Sequence, residues 1–564
     1  MPTPRRILTY LFDRDSGPAD RLVSRWLFLR ALGLIYFSAF FALIFQVKGL
    51  IGAQGILPAA QYLARLHQLG PVRLWYAPSL LWLHPSDAML VGLVWTGLLA
   101  SLLVVANILP RPALLVCWLC LLSFVTTAQD FSMYQSDGML LEAGFLSLFV
   151  APSGLFPGWG RRWLTSRAAL FLLLWEWFRI YFESGIVKLA SGDPTWRNLT
   201  AMYEYYQNGP LPTWIGWYLQ HLPHWFQRGT AGLTLFMELI LVWMAFIPRR
   251  PWRLACFLIV TAWQIGVIAS ANYAFLNYLV LILAILLLDD ATLMRFVPLR
   301  FRSGLNSPTE TPAPTILPAA ESIPPTDVSS RPKRSEMERP AFSHATESQS
   351  ITATLPHHLS AVRLAITAVF LTWIGYVTIA GLISTAWSAS PLPQAPAAAL
   401  EPFRIANDYG LFANMTPHRY EIEFQGSNDG QNWTAYPFLY KPQDVHARPG
   451  IYAPYQPRFD WNLWFASLEP WQQSPIVPLT ELRLLDNDAT VLTLFAGNPF
   501  AAHPPRYIRA VLWQYWFSTP EQKRTQNLWW TRQYLGTFAP TLTKDPNGGY
   551  AKLADPDLQG PPAP

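Results

Sequence analysis

The apolar residues of this chain fall in long runs rather than in the short alternations of a soluble fold. Runs of about 17 to 25 residues, the length a helix needs to cross the hydrocarbon of a bilayer, stand near 26–47, 87–109, 112–128, 138–155, 168–188, 230–247, 252–270, 272–289 and 362–386. They predict a membrane α-helical bundle of about nine transmembrane helices. Eight lie in a multi-span domain over 26–290, behind an N-terminal stretch of residues 1–25, and the last occupies 362–387. Beyond residue 387 the pattern changes. RYEIEFQGS, TAYPFLYKP, ELRLLD and PRYIRAVLWQYWF alternate apolar and polar positions and are separated by NDG, PNGG and Pro-containing turns, which reads as strands. A β-rich, sandwich-like domain is expected over 400–545. One helix is expected to pack on it, because Trp461, Trp464, Phe465 and Leu468 in DWNLWFASLE recur at helical spacing.

Two segments are expected to stay disordered, a linker over 291–361 and a tail over 546–564. The linker is rich in Pro, Ser, Thr and Glu and poor in aromatics, so it cannot bury enough apolar surface to offset its ordering entropy.

Flanking charges set a topology. Arg5, Arg6, Arg14, Arg21 and Arg25 precede the first run, and Arg111 lies between the second and third. Arg161, Arg162 and Arg167 separate the fourth from the fifth, Arg249, Arg250 and Arg253 the sixth from the seventh, and Arg295, Arg300, Arg302, Lys333 and Arg334 follow the eighth. Every second connection is basic, which for cytoplasmic positive charge puts the N-terminus and the linker in the cytoplasm. The loop 189–228 and the C-terminal domain then lie on the extracytoplasmic side.

Composition agrees with this reading: 52% of the 564 residues are hydrophobic and only 13% charged, too apolar for an ordinary soluble protein. The net charge of +6 sits beside the apolar runs and forms no basic stripe, so no nucleic-acid partner is expected. Basic residues at the start are followed by a short run broken at Asp13 and Arg14, so no removable signal peptide is read. Cys117, Cys120 and Cys256 fall inside expected spans and read as packing residues. No metal site or cofactor is expected; His221 and His224 have a metal-like spacing but no further ligand nearby. Walker, nucleophile-elbow and dinucleotide motifs are missing from the sequence.

The stretch from Trp175 to Arg228 breaks the apolar pattern. Glu176, Arg179, Glu183 and Lys188 lie along one helix at membrane depth, where ionisable groups are costly unless they pair or face a polar cavity. A Lys desolvated near the end of such a helix can act as a base, with Glu183 and with Glu142 of LLEAGF as candidate partners. The structural alternative is that Lys188 snorkels or pairs with a carboxylate to hold helices together, and this is preferred. The loop that follows is crowded with aromatics. Trp196, Arg197, Tyr205, Trp214 and Trp217, joined by Arg419, Trp461 and Trp464 of the C-terminal domain, are candidates for gripping exposed apolar surface on an immature client; an aromatic belt at the membrane boundary is the plainer account of the loop tryptophans. Asn198, Asn414 and Asn432 begin N-x-T sequons on the same side. The turn in GSNDGQNWT, which resembles carbohydrate-binding sandwiches, is explained by hairpin geometry alone.

Four stretches in order resemble the lipase maturation factor family: WLFLRALGLIYFSAFFALIFQVKGLIGAQGILPA at 26–59, YQSDGMLLEAGFL at 134–146, the stretch at 175–228, and the pair YGLFANMTPHRYEIEFQGSNDGQNW with YQPRFDWNLWFASL at 409–433 and 455–468. The resemblance implies an integral membrane protein that assists secreted lipases to fold and assemble, with its C-terminal domain away from the cytoplasm. It implies the endoplasmic reticulum membrane in a eukaryote and the inner membrane in a bacterium, with secreted clients and membrane lipid as partners. FESGIVKLASGDPTWRNLTA is also similar, through Gly185, Lys188, Trp196 and Arg197, to the membrane domain of the vitamin K-dependent γ-glutamyl carboxylase group. That likeness implies a second reading, a membrane-embedded modifying enzyme with Lys188 as base.

Overall fold

The computed structural model describes residues 4–14, 16–300, 302, 357–387 and 389–558. The expected linker lies outside these residues except at its two ends. The short helix α1 (Pro4–Phe12) precedes α2 (Leu22–Ile51). Helix α2 starts four residues earlier than the apolar run, because Leu22 and Val23 donate their first-turn N–H groups to the Asp290 carboxylate at 2.9 and 2.8 Å. A remote acidic side chain here does the work of an N-cap.

The remaining bundle helices are α3 (Asp87–Ala106), α4 (Pro110–Thr127), α5 (Gln135–Val150), α6 (Arg167–Ala190), α7 (His224–Leu239), α8 (Arg250–Ser270), α9 (Leu276–Ala284) and α10 (His357–Ala386). Helical structure thus occurs at all nine expected segments. Six of them are long and apolar enough to cross a membrane: Leu22–Ile51, Asp87–Ala106, Pro110–Thr127, His224–Phe246, Arg250–Ser270 and Ala361–Ala386. Helices α5 and α9 are shorter, and α6 carries five charged residues. Small residues let these helices approach closely: a Cβ on Gly97 would stand 2.3 Å from the Phe40 ring, and one on Gly144 1.9 Å from the Tyr36 hydroxyl. The cysteines are buried and unpaired by disulfide, as packing residues should be.

The C-terminal part is built on one antiparallel sheet in the order β2-β1-β3-β5-β6, with β4 also on β3. Strand β3 (Tyr507–Phe517) pairs with the whole length of β1 (Arg419–Ser427), Ile422 opposite Leu512. Strands β2 (Thr434–Ala435), β4 (Trp530–Thr537), β5 (Thr541–Lys544) and β6 (Tyr550–Ala554) complete it. Three expectations are corrected. The described residues hold a single sheet rather than a sandwich, its second face covered by helices and by the membrane bundle. ELRLLD is not a strand: it closes α12 (Ile476–Leu485), whose buried Ile476, Val477, Thr480, Glu481, Leu484 and Leu485 follow a helical period that a six-residue window hides. The sheet also runs past residue 545, because β6 pairs with β5. The helix expected from Trp461 and Trp464 is present as α11 (Arg458–Ala466).

Candidate functional site

Helix α6 is capped by the Ser166 hydroxyl, which accepts from the Ala169 N–H, and it ends before Gly192, whose φ of +84° suits glycine. Its spacing places Glu176, Arg179 and Glu183 on one face. All three are buried, with Glu142 of α5 beside them.

Arg179 is the hub of this face. It pairs with Glu142 and lies 3.7 Å from Glu183. It also donates to the Asn407 carbonyl at 2.5 Å and lies over the Tyr409 ring. The strap 405–416, an irregular segment of bends and turns leading into the C-terminal domain, meets the rest of the network. Glu142 Oε2 accepts from the Asn407 N–H at 2.9 Å, from the Asn407 amide at 3.1 Å and from the Tyr409 hydroxyl at 2.8 Å. Glu183 Oε2 accepts from the Tyr409 N–H at 2.8 Å. Further along, Gln135 accepts from the Gly410 N–H at 3.1 Å and Ser184 from the Leu411 N–H at 3.2 Å. Glu142, Arg179 and Glu183 are therefore compensated, partly by each other and partly by the backbone of the C-terminal domain, whereas both oxygens of the buried Glu176 carboxylate lack a hydrogen-bond partner among the described residues.

Lys188 belongs to the same seam but not to the same cluster. Its ammonium donates to Glu238 of α7 at 3.0 Å, to the Leu411 carbonyl at 2.8 Å and to the Ser184 carbonyl at 3.3 Å, and it lies over the Trp196 ring. Neither Glu142 nor Glu183, its expected partners, meets it; both are held by Arg179 and the strap. The missed partner left a signal. Glu238 is the one acidic residue in the run 230–247, and a lone carboxylate at membrane depth calls for a cation.

The strap continues over the aromatic loop. Trp196 donates its indole N–H to the Phe412 carbonyl at 3.0 Å, Asp193 accepts from the Met415 N–H at 2.6 Å, and Asn208 donates to the Thr416 carbonyl at 2.7 Å. Arg419 then turns its fully buried guanidinium to the Gln207, Gly209 and Pro210 carbonyls at 2.9, 2.5 and 3.1 Å. It also pairs with Glu421, which Lys441 meets at 2.8 Å. Burial holds the Arg419 pKa below its ordinary value, although Glu421 opposes this. A second clasp joins α11 to the bundle. Arg458 forks onto both oxygens of Asp137 at 2.7 Å and donates to the Phe131 carbonyl at 2.8 Å, a bidentate geometry only arginine offers. Gln46 of α2 accepts from the Arg458 N–H at 2.7 Å and donates to the Gln456 carbonyl at 2.9 Å.

These contacts bring together the four sequence stretches singled out above, from 26–59, 134–146, 175–228 and 409–468. The matching patterns span the same seam. The pattern of the lipase maturation factor transmembrane domain covers residues 23–295, and that of the lipase maturation factor C-terminal domain covers 405–540. Lipase maturation factor 2 of Gallus gallus is 33% identical over 95% of this chain and 82% of its own length.

The chain belongs to the lipase maturation factor family.

Other members agree: lipase maturation factor 2 of Homo sapiens is 32% identical over 96% of this chain and 84% of its own, and lipase maturation factor 1 of Bos taurus 30% over 94% and 90%. No solved structure matches the chain. In this family member, a membrane protein, most residues expected to grip a client are buried or half-buried. Trp196, Trp217, Arg419, Trp461 and Trp464 are buried, and Tyr205 and Trp214 are half-buried. Trp217 donates to Ser518 Oγ at 3.3 Å and its ring meets Trp529; Trp461 packs on Tyr134, and Trp214 lies under Arg448. Large amphipathic rings fill the junction of the two domains. Arg197 is exposed, as are Tyr218 at 54% and Trp225 at 74%, which the sequence placed in the same loop without distinction. His221 Nδ1 donates to the Trp217 carbonyl at 2.7 Å and His224 packs on Tyr203. The described residues contain no group of three metal-ligating side chains.

Proposed function

We propose that this protein is a membrane maturation factor for lipases, holding an immature client on the extracytoplasmic face formed by the rim of loop 189–228 and the C-terminal domain. The observation that carries the proposal is the strap 405–416. It fastens the domain to polar side chains of α6 and of the loop, so that both present one fixed platform. A preorganised surface binds exposed apolar segments with less ordering cost than a tethered, swinging domain. Its contact residues are the exposed Arg197, Tyr218 and Trp225.

A nine-span, N-in topology supports this orientation. Arg25 donates to the carbonyls of Trp159 and Gly160 at 2.9 Å, Arg21 to Leu286 and Leu288 at 2.7 and 2.9 Å, and Arg253 lies 3.7 Å from Asp289. The basic connections thus gather at one end of the bundle, as cytoplasmic positive charge requires, while the strap binds at the end where α6 terminates. Reporter fusions at residues 300 and 480 on opposite sides of the membrane are the expected result; reporters on the same side would refute the orientation. The client reading is tested by photo-cross-linking from position 225 in cells secreting a dimeric lipase. Capture of the immature lipase, with loss of secreted lipase activity in an Arg197→Glu, Trp225→Asp variant, supports it; full activity without capture overturns it. The modifying-enzyme reading finds less support, because the Lys188 ammonium that would act as base is engaged by a carboxylate and two carbonyls.

A further inference from the structure

Helix α8 packs closely on the turn Leu241–Phe246 that continues α7, but the backbones of α7 and α8 themselves stand apart; both lie at the edge of the bundle with outward-facing apolar residues such as Phe236, Leu258 and Ile265. Behind the gap lies a cavity of ≈ 350 Å³ walled by α6, α7, α8, α9 and the strap, within the ~300–1,000 Å³ typical of small-molecule sites. Its lining is predominantly apolar, with Leu233, Trp263 and Val267 toward the gap and Lys188, Glu238 and Tyr273 inside. Leu233 is 45% exposed and Gly266 is exposed at the mouth; a Cβ built on Gly266 meets no atom within 4 Å. The opening therefore faces the side of the bundle, where lipid chains stand, rather than an aqueous end.

Two features of the interior select the occupant. Lys188 and Glu238 are the charged residues of the lining, and they pair with each other at 3.0 Å, so the cavity offers no net charge to a phosphate or a free carboxylate. Yet Glu238 Oε2 is buried without a hydrogen-bond partner among the described residues, and the Tyr273 hydroxyl, whose neighbour in the lining is the Tyr205 hydroxyl, faces the same cavity. A buried carboxylate oxygen is costly left unmet: it needs a donor, and the hydroxyl can supply one to an acceptor. We propose that the cavity binds an uncharged single-chain lipid of the monoacylglycerol type, entering between α7 and α8. Its acyl chain occupies the apolar mouth, a head hydroxyl donates to Glu238 Oε2, and an ester carbonyl accepts from Tyr273.

The test uses the full-length protein in nanodiscs with a monoacylglycerol carrying a photoreactive diazirine in its chain. Labelled peptides are expected to contain Leu233, Trp263 and Val267, with competition by unlabelled monoacylglycerol and not by lysophosphatidylcholine. Gly266→Phe combined with Leu233→Trp, which fills the mouth, should abolish cavity labelling at an unchanged melting temperature. Tyr273→Phe should weaken competition roughly tenfold, the effect of one lost hydrogen bond of ~1–1.5 kcal/mol, while Tyr205→Phe leaves it unchanged. Labelling confined to outward positions such as Leu258 and Ile259, equal competition by lysophosphatidylcholine, or unchanged labelling in the mouth-filled variant would each overturn the proposal.

Discussion

The hydroxyl of Tyr409 donates a 2.8 Å hydrogen bond to Oε2 of Glu142, so a residue that leads into the C-terminal domain completes the environment of a carboxylate in the membrane bundle. The same carboxylate pairs with Arg179 through its other oxygen. The bundle does not meet the hydrogen-bonding needs of Glu142 and Glu183 alone; residues of the strap supply the missing donors at the seam.

Removing the Tyr409 hydroxyl should open this seam. Tyr409→Phe leaves one lone-pair site of a buried carboxylate unmet, at a cost of about 1–3 kcal/mol. We expect a lower melting temperature in detergent and faster proteolysis within 404–418, with the bundle helices still protected. Unchanged proteolysis would mean that the strap is held by packing rather than by this bond.

Arg179→Met should be more severe. It strands Glu142 and Glu183 in the interior without their cation, and breaking a buried pair this way costs about 3–5 kcal/mol. Arg179→Lys should recover only part of it, because a single ammonium cannot span Glu142 and the Asn407 carbonyl together. Thermal unfolding of the three proteins ranks them.

A cycle on Lys188 and Glu238 separates a structural role from a catalytic one. Lys188→Met alone leaves Glu238 uncompensated and is expected to lower stability and client maturation together. Lys188→Met with Glu238→Leu removes both charges and should restore much of both, since a buried pair is replaceable by apolar residues of similar volume. Restored stability with secreted lipase activity still absent would revive the base.

The C-terminal domain should gain stability as pH falls toward mildly acidic values. Burial pushes the Asp460 carboxyl up to about 6, although the Lys441 N–H and ammonium oppose the rise. Because the folded pKa lies above the unfolded value of 3.8, the favourable contribution is complete below pH ~4 and is lost as pH rises through ~6. Asp460→Asn keeps an oxygen for the Tyr440 and Lys441 N–H groups. It should therefore raise stability at pH 7–8 by up to ~3 kcal/mol and flatten the profile between pH 4 and 6. Chemical denaturation at several pH values measures both.

Close helix contacts should be intolerant of a single methyl group. Gly144→Ala brings a Cβ within 1.9 Å of the Tyr36 hydroxyl, which itself donates to the Leu140 carbonyl at 3.1 Å. Overpacking of this kind costs about 1–3 kcal/mol, whereas Gly92→Ala, where the added Cβ meets nothing, should be neutral or slightly stabilising. Melting temperatures of the pair provide the comparison.

The sequence by itself determined where the helices lie, because an apolar run long enough for a bilayer is a local property. It likewise determined the long strands β1 and β3 and the helix of Trp461, through periods of two and 3.6, and it marked Glu176, Arg179, Glu183 and Lys188 as residues that must find partners. Which partners they find was decided only by the tertiary structure. Lys188 meets Glu238 across 50 residues and Glu142 meets Tyr409 across 267. Those pairings depend on how α5, α6 and α7 are placed around an irregular strap that has no periodicity of its own. The tertiary structure also decided that Trp196, Trp217, Trp461 and Trp464 are covered while Trp225 is not. An aromatic side chain has the same local preference at a seam as at a docking surface, and only the packing of the second domain tells them apart.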